Sequence, residues 1–149
     1  MILSTLWGHI EPYDAFITER CVNDFYRIKA DGLTFSSERF NAENERCKAF
    51  IERSVNESKA KHLIVATHHV PSYELVSRDF IGSPINGAFT SEMGNYIADS
   101  RIDYWIYGHS HRNIDKTIGN TVCLSNQLGY VHSAENEFFD SQKCLVVDK

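Results

Sequence analysis

No run of about 18 consecutive apolar residues occurs anywhere in the 149-residue chain, so the sequence offers no membrane-spanning helix. Positive charge is not in excess either. Lys and Arg number 15 against 20 Asp and Glu, and a net charge of −5 provides no basic footprint for nucleic acid or an anionic membrane. The charge is mild and mixed along the chain, which speaks for solubility rather than for a partner. Cysteine is sparse: Cys21, Cys47, Cys123 and Cys144 stand singly, with no Cys-x-x-Cys. That pattern speaks against paired-thiolate zinc sites and against a dense disulfide scaffold, and leaves reduced thiols filling core or partial-core positions. The apolar stretch Met1–Trp7 lacks a basic flank and has Glu11 and Pro12 close behind, so it reads as a strand and not as a secretory signal. A reducing cytoplasm is the expected setting. Repeats, low-complexity segments and domain-splitting linkers are also missing. What is present, 42% apolar and 23% charged residues, is too apolar for a disordered tail and sufficient for one globular core.

The local patterns alternate between strand and helix. Ile2–Trp7 resembles a buried strand, and Asp24–Ile28 alternates as a half-buried strand would. Asp31-Gly32 is a turn signal. Ser36 or Ser37 can cap a helix that runs to about Ser58, with Glu38 in its first turn and Phe40, Cys47, Phe50, Ile51 and Val55 on one face. Leu63–Ala66 is a short apolar run of the kind covered on both faces. Residues 73–89, with Gly82, Pro84 and Gly87, form a long loop, which is often functional in a compact domain. Thr90 or Ser91 can cap a second helix carrying Met93 and Ile97. Ile102–Tyr107 is another buried strand, Gly119-Asn120 is a two-residue hairpin turn, and Lys143–Val147 is an expected last strand. The sum predicts an α/β domain with a mixed sheet.

Two of these strands end in histidines. His68-His69 follow Leu63–Ala66, and His109-Ser110-His111 follow Tyr104–Tyr107. Crevices outside the carboxyl ends of strands are where α/β folds place ligands, and neutral imidazole is the commonest protein ligand for a borderline metal. In an extended segment His109 and His111 project to the same side, and Gly108 allows a sharp turn or a close backbone approach. Each motif alone is also an ordinary loop or core feature; together, at the ends of two buried strands, they point to a metal site. His9, His62 and His132 have no such context and read as structural residues.

The segments Val65-Ala66-Thr67-His68-His69-Val70-Pro71-Ser72 and Tyr107-Gly108-His109-Ser110-His111 resemble the calcineurin-like metallophosphoesterases. Asp103-Tyr104-Trp105-Ile106, Ile118-Gly119-Asn120-Thr121, Ser125-Asn126 and Leu3-Ser4-Thr5-Leu6-Trp7 support the likeness, which spans nearly the whole chain. The resemblance implies a four-layer αββα sandwich and a phosphoric ester hydrolase with a two-metal centre. It implies His68 and His109 as ligands of one metal, His111 as a ligand of the other, and His69 as a substrate-facing or supporting residue. Mn, Fe or Zn would suit such a site, and two such cations can clamp a phosphoester between them.

The family's Asp-x-His, Gly-Asp-x-x-Asp and Gly-Asn-His motifs do not occur; Gly94-Asn95 and Gly119-Asn120 are followed by Tyr96 and Thr121. The bridging carboxylate, the Asn ligand and the catalytic His of the family are therefore without counterparts, and the catalytic residue is unassigned. The expectation is that residues 1–149 are a partial domain, the C-terminal half of a longer phosphoesterase, weak or inactive alone. His68, His109 and His111 with one water are also the ligand count of a single catalytic zinc. Half a sandwich exposes apolar sheet surface and a strand edge, so association with a second copy or an N-terminal half is expected, as is the alternative of a non-catalytic assembly module. In the 73–89 loop, Tyr73, Arg78 and Phe89 are candidates to touch a phosphate or a ring, or are simply surface residues.

Overall fold

The computed structural model of the chain describes residues 1–147. Its strands are β1 (Ile2–Ser4), β2 (Lys29–Ala30), β3 (Leu33–Thr34), β4 (Ile64–Thr67), β5 (Tyr104–Tyr107), β6 (Lys116–Ile118) and β7 (Thr121–Ser125). Its helices are α1 (Ala15–Cys21), α2 (Asp24–Arg27), α3 (Ser37–Glu57) and α4 (Gly94–Asp99). The main sheet has five strands in the order β1-β4-β5-β7-β6, all parallel except β6, which runs antiparallel to β7. The fold is α/β with a mixed sheet, as the alternating patterns predict. No described helix is long and apolar enough to cross a membrane.

Period-two alternation divides the sheet into two unlike faces. On one, Ile2, Val65, Trp105 and Cys123 lie in register across four strands and are buried against Ile51 and Val55 of α3 and Ile97 of α4. On the other, Leu3, Ala66, Ile106 and Leu124 form the neighbouring row, and none of them joins the buried core. Both rows are apolar, but only the first is closed off from water. The segment around Lys143–Leu145 passes beside Ile106 and Leu124.

A second core lies beside His69, past the carboxyl ends of β1 and β4. Val22, Phe25, Phe35, Phe40 and Ile10 form it, with Trp7 and Ile28 packed against them. This core explains a difference from the sequence reading. Residues 24–28 are not a strand: Asp24–Arg27 form one helical turn that packs Phe25 on Phe35 and Phe40, with Val22 and Ile28 flanking it in the same core. Asp31 and Gly32 have φ of 55° and 78°, the two left-handed residues of a tight hairpin turn between β2 and β3.

Helix α3 begins where capping logic puts it, with the Ser36 hydroxyl accepting from the Arg39 N–H. Its inner face carries Phe40, Ile51 and Val55 as expected, but Phe50 is exposed and Asn44 is buried in the stripe. Asn44 Nδ2 donates to the carbonyls of Leu6 and Trp7 and to Ser91 Oγ. Those bonds hold Leu6 and Trp7 at φ of 67° and 50°, so β1 stops at Ser4 instead of running to Trp7. Thr90 and Ser91 do not cap α4. Both are buried, Thr90 bridging to Val70, and the Glu92 carboxylate receives the Gly94 N–H instead. Residues 143–147 form no strand. All four cysteines are free; Cys123 is buried and Cys47 half-buried, whereas Cys21 and Cys144 are exposed and fill no core.

Candidate functional site

Because β4 and β5 are parallel neighbours, their C-terminal loops emerge side by side at one edge of the sheet. The ladder continues past the strands: His68 and His69 N–H groups donate to the Ser4 and Thr5 carbonyls, and Gly108 N–H donates to the His68 carbonyl. His68, His69 and His109 are thereby drawn into one cluster. Ring centroids are 4.6 Å apart for His68 and His109, 4.4 Å for His69 and His109, and 5.2 Å for His68 and His69.

The cluster is built from neutral imidazoles. His69, 2% exposed, has its pKa pushed down to about 3, first by burial and then by His109 beside it. Burial likewise pushes His109 down to about 4, with His68 adding to the effect. His68 is lowered by desolvation, and the Asp24 carboxylate pulls it weakly the other way. His69 Nδ1–H donates to the Thr5 carbonyl at 3.2 Å, which leaves Nε2 with its lone pair. A relay from Trp105 Nε1–H to Thr67 Oγ1, and from that hydroxyl to the His69 carbonyl, fixes the backbone behind it. The Nε2 atoms of His69 and His109 are buried and have no hydrogen-bond partner. Unpaired buried polar atoms are costly, and such exceptions concentrate at functional sites.

The second motif is not extended. His109 sits at φ 70° at the centre of a γ-turn closed by Ser110 N–H onto the Gly108 carbonyl, and His111 follows at φ 51°. The two rings therefore do not project together into one cluster. His109 joins His68 and His69, whereas His111 donates through Nδ1–H to Glu135 Oε2 at 2.8 Å and meets the edge of the Tyr130 ring. His111 remains within electrostatic reach of His68 and His109. Glu135 is fixed in turn by the Tyr130 N–H; that bond, then the one from His111, holds its carboxyl below the usual range. The contact depends on Gly129, at φ 62°, where an added Cβ would stand 2.6 Å from Glu135 Cβ. Gln127 anchors the turn by accepting the His111 N–H, and the Asn113 side chain accepts the Gln127 N–H. Sequence reasoning missed Glu135, Gln127 and Asn113. No periodicity or motif marks them, because each is defined by what it meets across the fold.

The loop over residues 73–89 adds a wall. Phe89 stacks on His109 at 4.7 Å and 24°, so this candidate does touch the site. Arg78 and Tyr73 are exposed on the loop. The arginine beside the histidine turn is Arg112, which lies over the Phe80 ring and donates to Asp79. His111, Arg112, Asn113 and Glu135 line an open polar groove of about 360 Å³. His62 faces Asp103 at 3.7 Å, and exposed His132 lies beside the Tyr130 ring at 5.4 Å, on the side of His111.

As a donor set, three neutral imidazoles, two of them with buried, unpartnered Nε2 atoms, suit a borderline divalent cation, and a carboxylate behind His111 is the usual support for a ligating histidine. Among the described residues, no group of three or more His, Cys, Asp or Glu is arranged to hold a metal ion.

No family model matches the chain, and no solved structure matches it. Among curated proteins it is similar to uncharacterized protein L509 of Acanthamoeba polyphaga mimivirus, 28% identical over 143 residues, or 89% of this chain and 51% of that protein. The chain spans about half the length of the curated relative it matches.

Proposed function

We propose that the chain is the histidine-bearing part of a phosphoric ester hydrolase of the two-metal, calcineurin-like type. The observation that carries the reading is the histidine cluster itself. Two parallel strands deliver His68, His69 and His109 to one sheet edge as neutral rings, two of them with buried, unpartnered nitrogens. In this reading His68, His109 and His111 hold metal, His69 backs the cluster or faces substrate, and the acidic ligands come from chain outside residues 1–149. Two cations of Mn, Fe or Zn would polarise the phosphoryl oxygens and supply a hydroxide at neutral pH.

The protein's own groups then have separable tasks. Glu135 fixes the His111 tautomer so that Nε2 is presented. Thr5 does the same for His69. Arg112, in the groove beside His111, offers a cation to non-reacting phosphoryl oxygens. The loop carrying Phe89 shields one side of His109 from water. The uncovered row of Leu3, Ala66, Ile106 and Leu124 suits the inner face of an αββα sandwich, closed by an N-terminal half or by a second copy. Free thiols suit a reducing, cytoplasmic setting.

A second reading rests on one observation, the absence of a closed metal set among the described residues. It makes the chain a non-catalytic assembly module that keeps the fold. Metal content of the purified chain in excess Mn²⁺ or Zn²⁺, and hydrolysis of bis(p-nitrophenyl) phosphate, separate the two. The hydrolase reading expects bound metal, and at most weak turnover from this chain alone, both of which His68→Ala, His109→Ala and His111→Ala each reduce. Turnover untouched by all three substitutions overturns it. No metal and no turnover, with a stable partner complex, establishes the module.

A further inference from the structure

The 73–89 loop does not pack flat onto the sheet edge. Its ends are zipped together: Val70 N–H donates to the Phe89 carbonyl, Ser91 N–H to the Val70 carbonyl, and His9 N–H to the Thr90 carbonyl. At Gly8 and Gly87 two backbones cross so closely that a Cβ on Gly8 would stand 2.1 Å from the Gly87 carbonyl oxygen. These contacts pin the loop's base beside the histidines and leave its crown arched. Beneath the arch is a cavity of about 100 Å³ walled by Val70, Val76, Phe80, Ile85 and Phe89, with Ser110 among its lining residues.

Two of those lining residues belong to the histidine site. Phe89 carries the ring stacked on His109, and Ser110 is the residue between His109 and His111. On the far side of the same turn, His111 and Arg112 line the polar groove. The Gly-His-Ser-His turn therefore separates an apolar hole from a polar, arginine-bearing one. A ligand across this turn meets apolar contacts at one end and, at the other, a polar groove in which His111 and Arg112 stand beside Asp79, Glu135 and Glu137. The apolar hole also has a size: a cavity of about 150 Å³ lined by Leu, Ile and Phe takes up benzene, so 100 Å³, open on one side, takes a branched alkyl group or an inserted single ring.

We infer that this cavity is the subsite for the alcohol portion of the substrate, and that the preferred phosphoester carries one ring or a short branched alkyl group. The inference rests on the phosphoester reading for the other end of the ligand. The apolar subsite itself stands on the cavity alone. Fused rings and long unbranched chains exceed the space, whereas a methyl ester leaves it unfilled and forgoes the apolar burial.

The test uses the chain with Mn²⁺ and three probes: benzyl alcohol, phenylphosphonate and methylphosphonate. Benzyl alcohol reads the cavity without phosphate or catalysis. It should shift the NMR methyl signals of Val70, Val76 and Ile85 saturably, and Ser83→Leu, which fills the cavity, should abolish the shifts. Val76→Ile is a milder filling variant if the Ser83 substitution does not fold. Phenylphosphonate should bind about tenfold more tightly than methylphosphonate, and the preference should vanish in the filled variants. No saturable shift with benzyl alcohol on the unsubstituted chain overturns the subsite. Equal binding of the two phosphonates overturns its assignment to the substrate. Benzyl alcohol bound in the cavity with neither phosphonate bound overturns the phosphoester end instead, leaving an apolar site for another ligand.

Discussion

His109 and His111 are two residues apart on one turn, yet they live in opposite surroundings. His109 packs against His68, His69 and Phe89, with a buried Nε2 that no protein group satisfies. His111 has its Nδ1–H spent on a carboxylate fixed by a backbone N–H. The first is an unpaid electrostatic debt inside the fold; the second is an oriented, supported side chain. The motif is thus not one site but a junction. Its left-handed φ values at positions 109 and 111 turn one ring inward to the imidazoles and the other toward Glu135.

The largest effect is expected from loss of the inward ring. His109→Ala should abolish metal-dependent phosphodiester hydrolysis, whereas a substitution at exposed His132 should leave it unchanged. Retained turnover in the His109 variant would show the inward cluster to be mere packing.

Acid comes next. In the metal-free chain with EDTA, the unfolded state binds a proton at His69 near its ordinary 6.5, while the folded state resists until about 3. Stability from this residue is therefore complete above about pH 6.5, falls as pH drops through that window, and levels off near pH 3. The slope is about 1.4 kcal/mol per pH unit for one proton. Urea unfolding at pH 6.5, 5.5 and 4.5 should show at least that slope, because His109, lowered to about 4, adds to it, and His69→Gln should remove about one proton's share. An unchanged slope would remove the buried imidazole from the account.

Support of the outward ring is a smaller matter. Glu135→Gln keeps the size of the side chain but removes the charge behind His111, and should weaken Mn²⁺ or Zn²⁺ binding by about 10–100-fold, measured by calorimetry. Identical affinity would mean that His111 does not depend on its carboxylate. The smallest effect is expected at Gly129→Ala, where a left-handed φ and the Glu135 contact both oppose a Cβ. A loss of about 1–2 kcal/mol in chemical denaturation, with His111 NMR signals displaced, is the expected outcome. Displaced stability without any change at His111 would separate the glycine from the site.

Much of the frame was legible from residue order. Leu63–Ala66 announced itself as a continuous apolar run and Ile102–Tyr107 as an apolar one broken only at Asp103, and Gly119 takes the positive φ of a Gly-first hairpin turn. The Ser36 cap followed from its hydroxyl and the helix pattern behind it. Other elements were hidden by nonlocal demands. The strand expected at 24–28 is a helical turn because a separate aromatic core recruits Val22, Phe25 and Ile28. Asn44 looks like an interruption in an apolar stripe until the carbonyls of Leu6 and Trp7 appear opposite it. Lys143–Val147, expected as a last strand, does not join the ladder.

By itself, the sequence determined that two apolar strands end in histidines. Apolar runs and the residues that stop them are short-range properties, and parallel strands place their carboxyl ends on one edge. Only the tertiary structure decided how those histidines differ. Thr5 lies 64 residues from His69, and Glu135 lies 24 from His111. No local pattern encodes such partners. They follow from which backbone passes which, here through the register of β1 on β4 and the close approach that Gly129 permits.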